Sequence, residues 1–165
     1  MTGATFYVNI YDTIDLIINT TLSKSITIRQ ENQNAQRPTS KYIVIGNPIS
    51  RKKVGLSVKS GTTSNTGISQ IISTYEVSLP IREIMGDGEL LQDILNYMES
   101  NKVQEFMRSK SIVFFRSENI TPIPDIGEGW IENRASVVMF FGYAHEILVD
   151  TSYISNVELE NNIIE

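Results

Sequence analysis

From Arg134 to about Leu148 the chain runs through apolar and β-favouring residues, and at Val137-Val138-Met139-Phe140-Phe141 both alternating faces are apolar. Successive side chains of a strand point to opposite faces, so a segment apolar on both reads as a central strand with neighbours on either edge. That requirement excludes an all-helical bundle and asks the rest of the chain for further strands. Tyr42 to Ile45 supplies an apolar run, and Val54, Leu56 and Val58 alternate with Lys53, Gly55, Ser57 and Lys59. Tyr75, Val77, Leu79 and Ile81 alternate with Glu76, Ser78, Pro80 and Arg82, which gives one buried and one wet face. Pro80 lacks an N–H and places its strand at an edge or beside a bulge. Ile26-Thr27-Ile28 alternates as a short strand does.

Helical spacing appears twice. Phe6, Ile10, Ile14 and Ile17 form a stripe from about residue 4 to Leu22, and Leu91, Ile94, Leu95, Met98, Phe106 and Met107 form another over 89–108. Gly86-Asp87-Gly88 marks the start of the second helix, with Glu89 acidifying its first turn. Between these elements the polar stretch 30–38 ends on Pro38 and reads as a loop, and 60–69, rich in turn formers, reads as a mobile hairpin loop. Pro122-Ile-Pro124 and Gly127-Glu-Gly129 punctuate a connector. The expected fold is a single α+β domain over residues 1–165, with strands near 26–29, 42–47, 53–59, 70–84 and 134–148. They form a mixed or antiparallel sheet flanked by two main helices, with an acidic extension after about residue 150.

Length and charge narrow the function. A chain of 165 residues with 41% hydrophobic content suits one core. Nineteen acidic against fourteen basic residues give a formal charge of −5, which provides no broad basic footprint for gripping phosphates. The absence of cysteine removes disulfides, thiolate metal sites and a cysteine nucleophile. Asn9, Asp12 and Asp15 interrupt the first apolar stretch, which fits neither a signal peptide nor a membrane span, so cytoplasmic synthesis and no membrane contact are expected.

No constellation of catalytic type stands out. His145, the one histidine, reads as a half-buried strand residue, because no serine, cysteine or metal-spaced partner has a sequence reason to meet it. Asp125, Glu128 and Glu132 could hold a hard cation but lack the spacing of a calcium loop, and a solvated connector is the plainer reading. Arg51-Lys52-Lys53 reads as a basic triplet at a turn, and Gly86-Asp87-Gly88 lacks the further glycine and lysine of a phosphate loop. Trp130, the one tryptophan, reads as a core plug or an interface anchor. No catalytic, cofactor or metal residue is therefore expected, and no cofactor.

Three segments carry a resemblance: Asn32-Gln-Asn-Ala-Gln-Arg-Pro38, Gly86-Asp87-Gly88 before its helix, and Gly129-Trp-Ile-Glu-Asn-Arg-Ala135 entering the long strand. In this order, over about Asn32 to Ile147, they resemble the neck or tail-terminator proteins of tailed bacteriophages. The resemblance implies a non-enzymatic structural virion protein, assembled in the host cytoplasm, that forms a ring of six at the head-to-tail junction. Its implied partners are its own copies, head connector or adaptor proteins, and tail tube and sheath proteins, with DNA passing through the lumen without specific binding. Arg37 and Trp130 are the candidate interface anchors, as arginine and tryptophan contribute most when desolvated. Arg134 is a further candidate, with pairing to Glu132 or Asp125 inside the subunit as its alternative. Two other classes remain open: another tail, baseplate or partner-binding module, and a small enzyme using His145.

Overall fold

A computed structural model describes residues 3–31, 34, 36–60, 68–127 and 130–150. The first apolar stripe forms α1 (Gly3–Asp15), which continues as a π-helical segment, Leu16–Thr21. Strands β1 (Thr27–Gln30), β2 (Tyr42–Ile45), β3 (Ser50–Ser60) and β4 (Ile68–Ile84) follow. Next come α2 (Glu89–Met98), α3 (Asn101–Ser109) and β5 (Ile112–Ser117). Three short strands, β6 (Thr121–Pro122), β7 (Asp125–Gly127) and β8 (Trp130–Glu132), lead into β9 (Arg134–Asp150).

The main sheet has the order β1-β2-β4-β9-β5, with β3 beside β4 beyond β2 and β6 beside β9. Only β1 and β2 run parallel, so the sheet is mixed. β4 and β9 pair along their whole length, from Ile68 opposite Asp150 to Ile84 opposite Arg134. The long apolar strand is central as expected, with β4 on one edge and β5 and β6 on the other. Its two faces differ. Ala135, Val137, Met139, Phe141 and Tyr143 are buried in one continuous core with residues of α1, α2 and α3, whereas Val138 and Phe140 are half-buried on a face that no described helix covers. Arg116 shields part of that face, its guanidinium 3.9 Å from the centre of the Phe140 ring.

Pro80 is not on an edge strand. Ile45 pairs with Ile81 and Ser50 with Ser78, so the chain from 46 to 49 bulges past positions 79 and 80. The Pro80 carbonyl accepts from the Gly46 N–H at 2.8 Å, which shows that the missing N–H points into this changeover between β2 and β3. No bond of the β4–β9 ladder is lost.

Three expectations need correction. The helix read over 89–108 is two helices: Ser100 adopts extended backbone and its Oγ accepts from Val103 N at 3.4 Å, capping α3. The connector at 122–129 overlaps the end of β6 and contains β7, and β5 was not anticipated. Arg51-Lys52-Lys53 lies within β3, paired with β4, and not at a turn. The expected loop at 60–69 joins two strands that do pair as a hairpin, Ser60 opposite Gln70, but residues 61–67 lie outside the described residues, as does the extension after 150.

Candidate functional site

The sheet register brings one end of three strands together. Tyr42 at the start of β2 lies opposite Ile84 at the end of β4, which lies opposite Arg134 at the start of β9. Because β1 and β2 are parallel, the segment between them must travel back along the strands before β2 begins. That path carries Arg37 and Lys41 to the same corner. All three motif-bearing segments therefore meet there, although 95 positions separate Arg37 from Glu132.

The Gly86-Asp87-Gly88 turn is built around Glu83, whose side chain is fully buried. Gly88 has φ +103, a left-handed conformation that suits glycine, and it caps α2 without a side chain to offer the first turn. The first free N–H groups of a helix need an acceptor, and Glu83 Oε2 supplies it, accepting from Leu90 N at 3.1 Å and Leu91 N at 3.3 Å. Lys41 Nζ lies 2.9 Å from Glu83 Oε1 and balances the buried charge. This contact holds the Lys41 ammonium above its ordinary pKa, with burial opposing it and Asp87 and Glu89 adding to the rise. The turn is joined to the third segment by a hydrogen bond from Gly86 N to Asn133 O, 3.1 Å.

Beside this turn, β7 and β8 form a separate two-stranded ribbon in which Asp125, Ile126 and Gly127 pair with Glu132, Ile131 and Trp130. Such a ribbon is marginal alone and needs an anchor. Arg134 provides it, contacting Asp125 Oδ2 at 2.6 Å and donating from Nε to Glu132 Oε2. Arg37 donates to the other oxygen of Glu132. These carboxylates are occupied by arginines, and among the described residues no group of three or more acidic or histidine side chains could hold a metal ion. Ile126 and Ile131, direct partners across the ribbon, are 73% and 70% exposed. Ile123 and Met85 are exposed nearby, and Met85, Ile131, Glu132 and Asn133 line an open cleft of about 380 Å³. Met85 has φ +62, a conformation uncommon for a side-chain-bearing residue and often found where chain path serves a contact.

Of the candidate residues, Arg134 takes up the intrasubunit pairing offered as its alternative, while Arg37 is paired yet half-exposed. Trp130 opens β8 at the same corner, and its side chain lies outside the described residues. Glu83 and Lys41, which organise the turn, drew no attention in the sequence; a charged residue at a position of the buried alternation was the available signal. His145 is half-buried on β9 opposite Ser73, its ring edge-on to Tyr75, and does not line the corner cleft. Arg51 lies over the rings of Tyr75 and Tyr143, at 4.4 Å and 5.2 Å, so its charge serves packing within the subunit.

A corner assembled from ion pairs, a capped helix and exposed isoleucines, on a sheet with one face that no described helix covers, has the make-up of a structural module. The phage neck terminator protein family matches residues 8–165, and the chain belongs to that family. The protein is thus a structural component of the phage neck, part of the virion, whose partners are other head or tail components. The match extends past the stretch 32–147 that carries the motifs, taking in most of α1 and the C-terminal segment, both of which the motif reading had left outside. A comparison with curated proteins finds no match.

Proposed function

We propose that the protein closes into a ring of six at the head-to-tail junction, where it ends the tail tube or joins it to the head connector round an open DNA channel. One observation carries the reading: the three segments typical of the family converge on one corner that presents apolar side chains to the outside. Family-typical residues that built only the core would point to folding alone, and residues round an enclosed cavity would point to a ligand. An outward, apolar corner framed by charges suits contact with another protein. Arg37 and Trp130 are proposed as contact residues of that corner, with Arg134 as the support that holds the ribbon. The formal charge of −5 suits a lumen that lets DNA pass without gripping it.

Infection with a phage lacking this protein tests the reading. Electron microscopy of the lysate should show filled heads and unattached tails, or tails of uncontrolled length. Abundant infectious particles with normal junctions refute it.

A further inference from the structure

A closed ring of identical subunits needs two unlike patches on each subunit, one fitting the other. The ribbon corner is the first. A second apolar feature lies at the far part of the same strand: an open pocket of about 300 Å³ lined by Thr74, Ile112, Val113, Gly142, Tyr143 and Ala144, and also by Arg108 and Ser111. It lies eight to ten residues along β9 from Arg134, roughly 30 Å at the rise of an extended strand. Gly142 is one of its lining residues, and the side chains of Val113 and Phe115 already fill the space that a Cβ there would need. Val113 and Phe115 are exposed beside it.

Three properties fit this pocket to the ribbon of another copy. The ribbon offers two exposed isoleucines that are cross-strand partners and the pocket an open, largely apolar lining, so each supplies apolar surface for the other to cover. Pairing of β5 with β9 starts at Tyr143, and beyond that residue β9 has no strand on this flank among the described residues. An open strand edge accepts another strand, and a two-stranded ribbon with free outer edges is suited to add there. Charge agrees as well. Arg108, in the last turn of α3, makes no ion pair among the described residues, while Asp87 and Glu89 are exposed on the turn that adjoins the ribbon. Ser111 at the pocket, φ +56, and Met85 at the ribbon both hold left-handed backbone without being glycine.

We propose that Ile126 and Ile131 of one subunit seat in the Gly142 pocket of the next copy of this chain, and that this contact is the one that closes the ring. It rests on the ring reading, and it names the surfaces that reading leaves open.

The lack of any cysteine makes the test clean. Ile131→Cys and Val113→Cys, both at exposed positions, are combined in one chain and oxidised mildly after assembly. A reducible ladder reaching the full ring is expected from the double variant, and only dimers from a mixture of the two single variants. Ile131→Asp should melt like the unchanged protein but sediment as a monomer. A ring seen by microscopy with no ladder, and with Ile131→Asp still assembled, overturns the pocket assignment and leaves the ring standing. That outcome, with joining of heads to tails lost in Ile131→Asp particles, would give the ribbon to a different virion protein. Failure of the unchanged protein to form rings, alone and in particles, overturns the ring itself.

Discussion

The Glu83 carboxylate occupies the space that a Cβ on Gly86 would need, with Glu83 Cδ 2.5 Å from that position. A glycine three residues after a buried acid is thus a steric condition for the acid to cap α2. Gly86→Ala should lower stability by about 1–3 kcal/mol, the usual range for overpacking a filled site. Glu83→Ala leaves Leu90 N and Leu91 N without their acceptor and Lys41 without its partner. A loss of about 3 kcal/mol is expected, at the low end for a broken buried pair because Lys41 keeps partial contact with water. Urea denaturation of both variants measures these losses, and an unchanged midpoint for Gly86→Ala would contradict the close approach.

Acid should weaken the protein partly through Glu31. Its carboxyl is held below the ordinary value of 4.5 by the Asn47 N–H first and by Arg82 second, against the opposing effect of burial. A carboxyl with a lowered folded pKa contributes stability that is complete above the unfolded value and is lost as pH falls through the folded one. Glu31→Gln should therefore cost stability at pH 7 and progressively less below about pH 4.5. Urea midpoints at pH 7 and pH 3 give the comparison, and equal losses at both would refute the assignment.

Gly46 and Pro80 should behave as a coupled pair. A Cβ on Gly46 would lie 2.6 Å from Pro80 Cγ and 3.0 Å from the Pro80 carbonyl oxygen. Gly46→Ala is expected to destabilise by about 1–3 kcal/mol, and Pro80→Ala, which removes Cγ, should recover part of that loss. A double-mutant cycle by chemical denaturation checks the sign. Simple additivity would show that the two do not meet.

Removing the ribbon's anchor should loosen it without unfolding the main sheet. Arg134→Ala breaks contacts to both Asp125 and Glu132, whereas Arg37→Ala breaks one half-exposed pair and should change stability by less than about 1 kcal/mol. Amide exchange at Asp125 and Glu132, a pair that faces across the ribbon, should rise many-fold in Arg134→Ala while the amides of β4 and β9 stay protected. Equal loss of protection across the sheet would mean that the ribbon is not a separate unit.

The periodic signals were legible because they are local. The stripe of α1, the alternation of β4 and the two-faced run of β9 each sit within one element, so spacing alone located them. The break at Ser100 was hidden, since Met98, Val103 and Met107 are all buried and the helical rhythm passes through the cap. Pro122, Pro124 and Gly127 signal turns, which concealed the short strands they bound. The two-faced apolar run of β9 located a central strand, but side-chain polarity says nothing of whether another layer is present, and Val138 and Phe140 stay half-buried on the second face. The corner was the least legible part. Each motif could be seen, but nothing in their order shows that Arg37 reaches Glu132 or that Gly86 reaches Asn133. That meeting depends on the parallel path from β1 to β2 and on the end of β4 being in register with the start of β9.

The full-length pairing of β4 with β9 also fixes how the subunit answers to force. Antiparallel rungs lie across the strand direction, so a pull along β9 loads them side by side and they must yield together. Peeling from one end would instead break them singly. A load drawn along that direction would tug on seventeen paired positions at once.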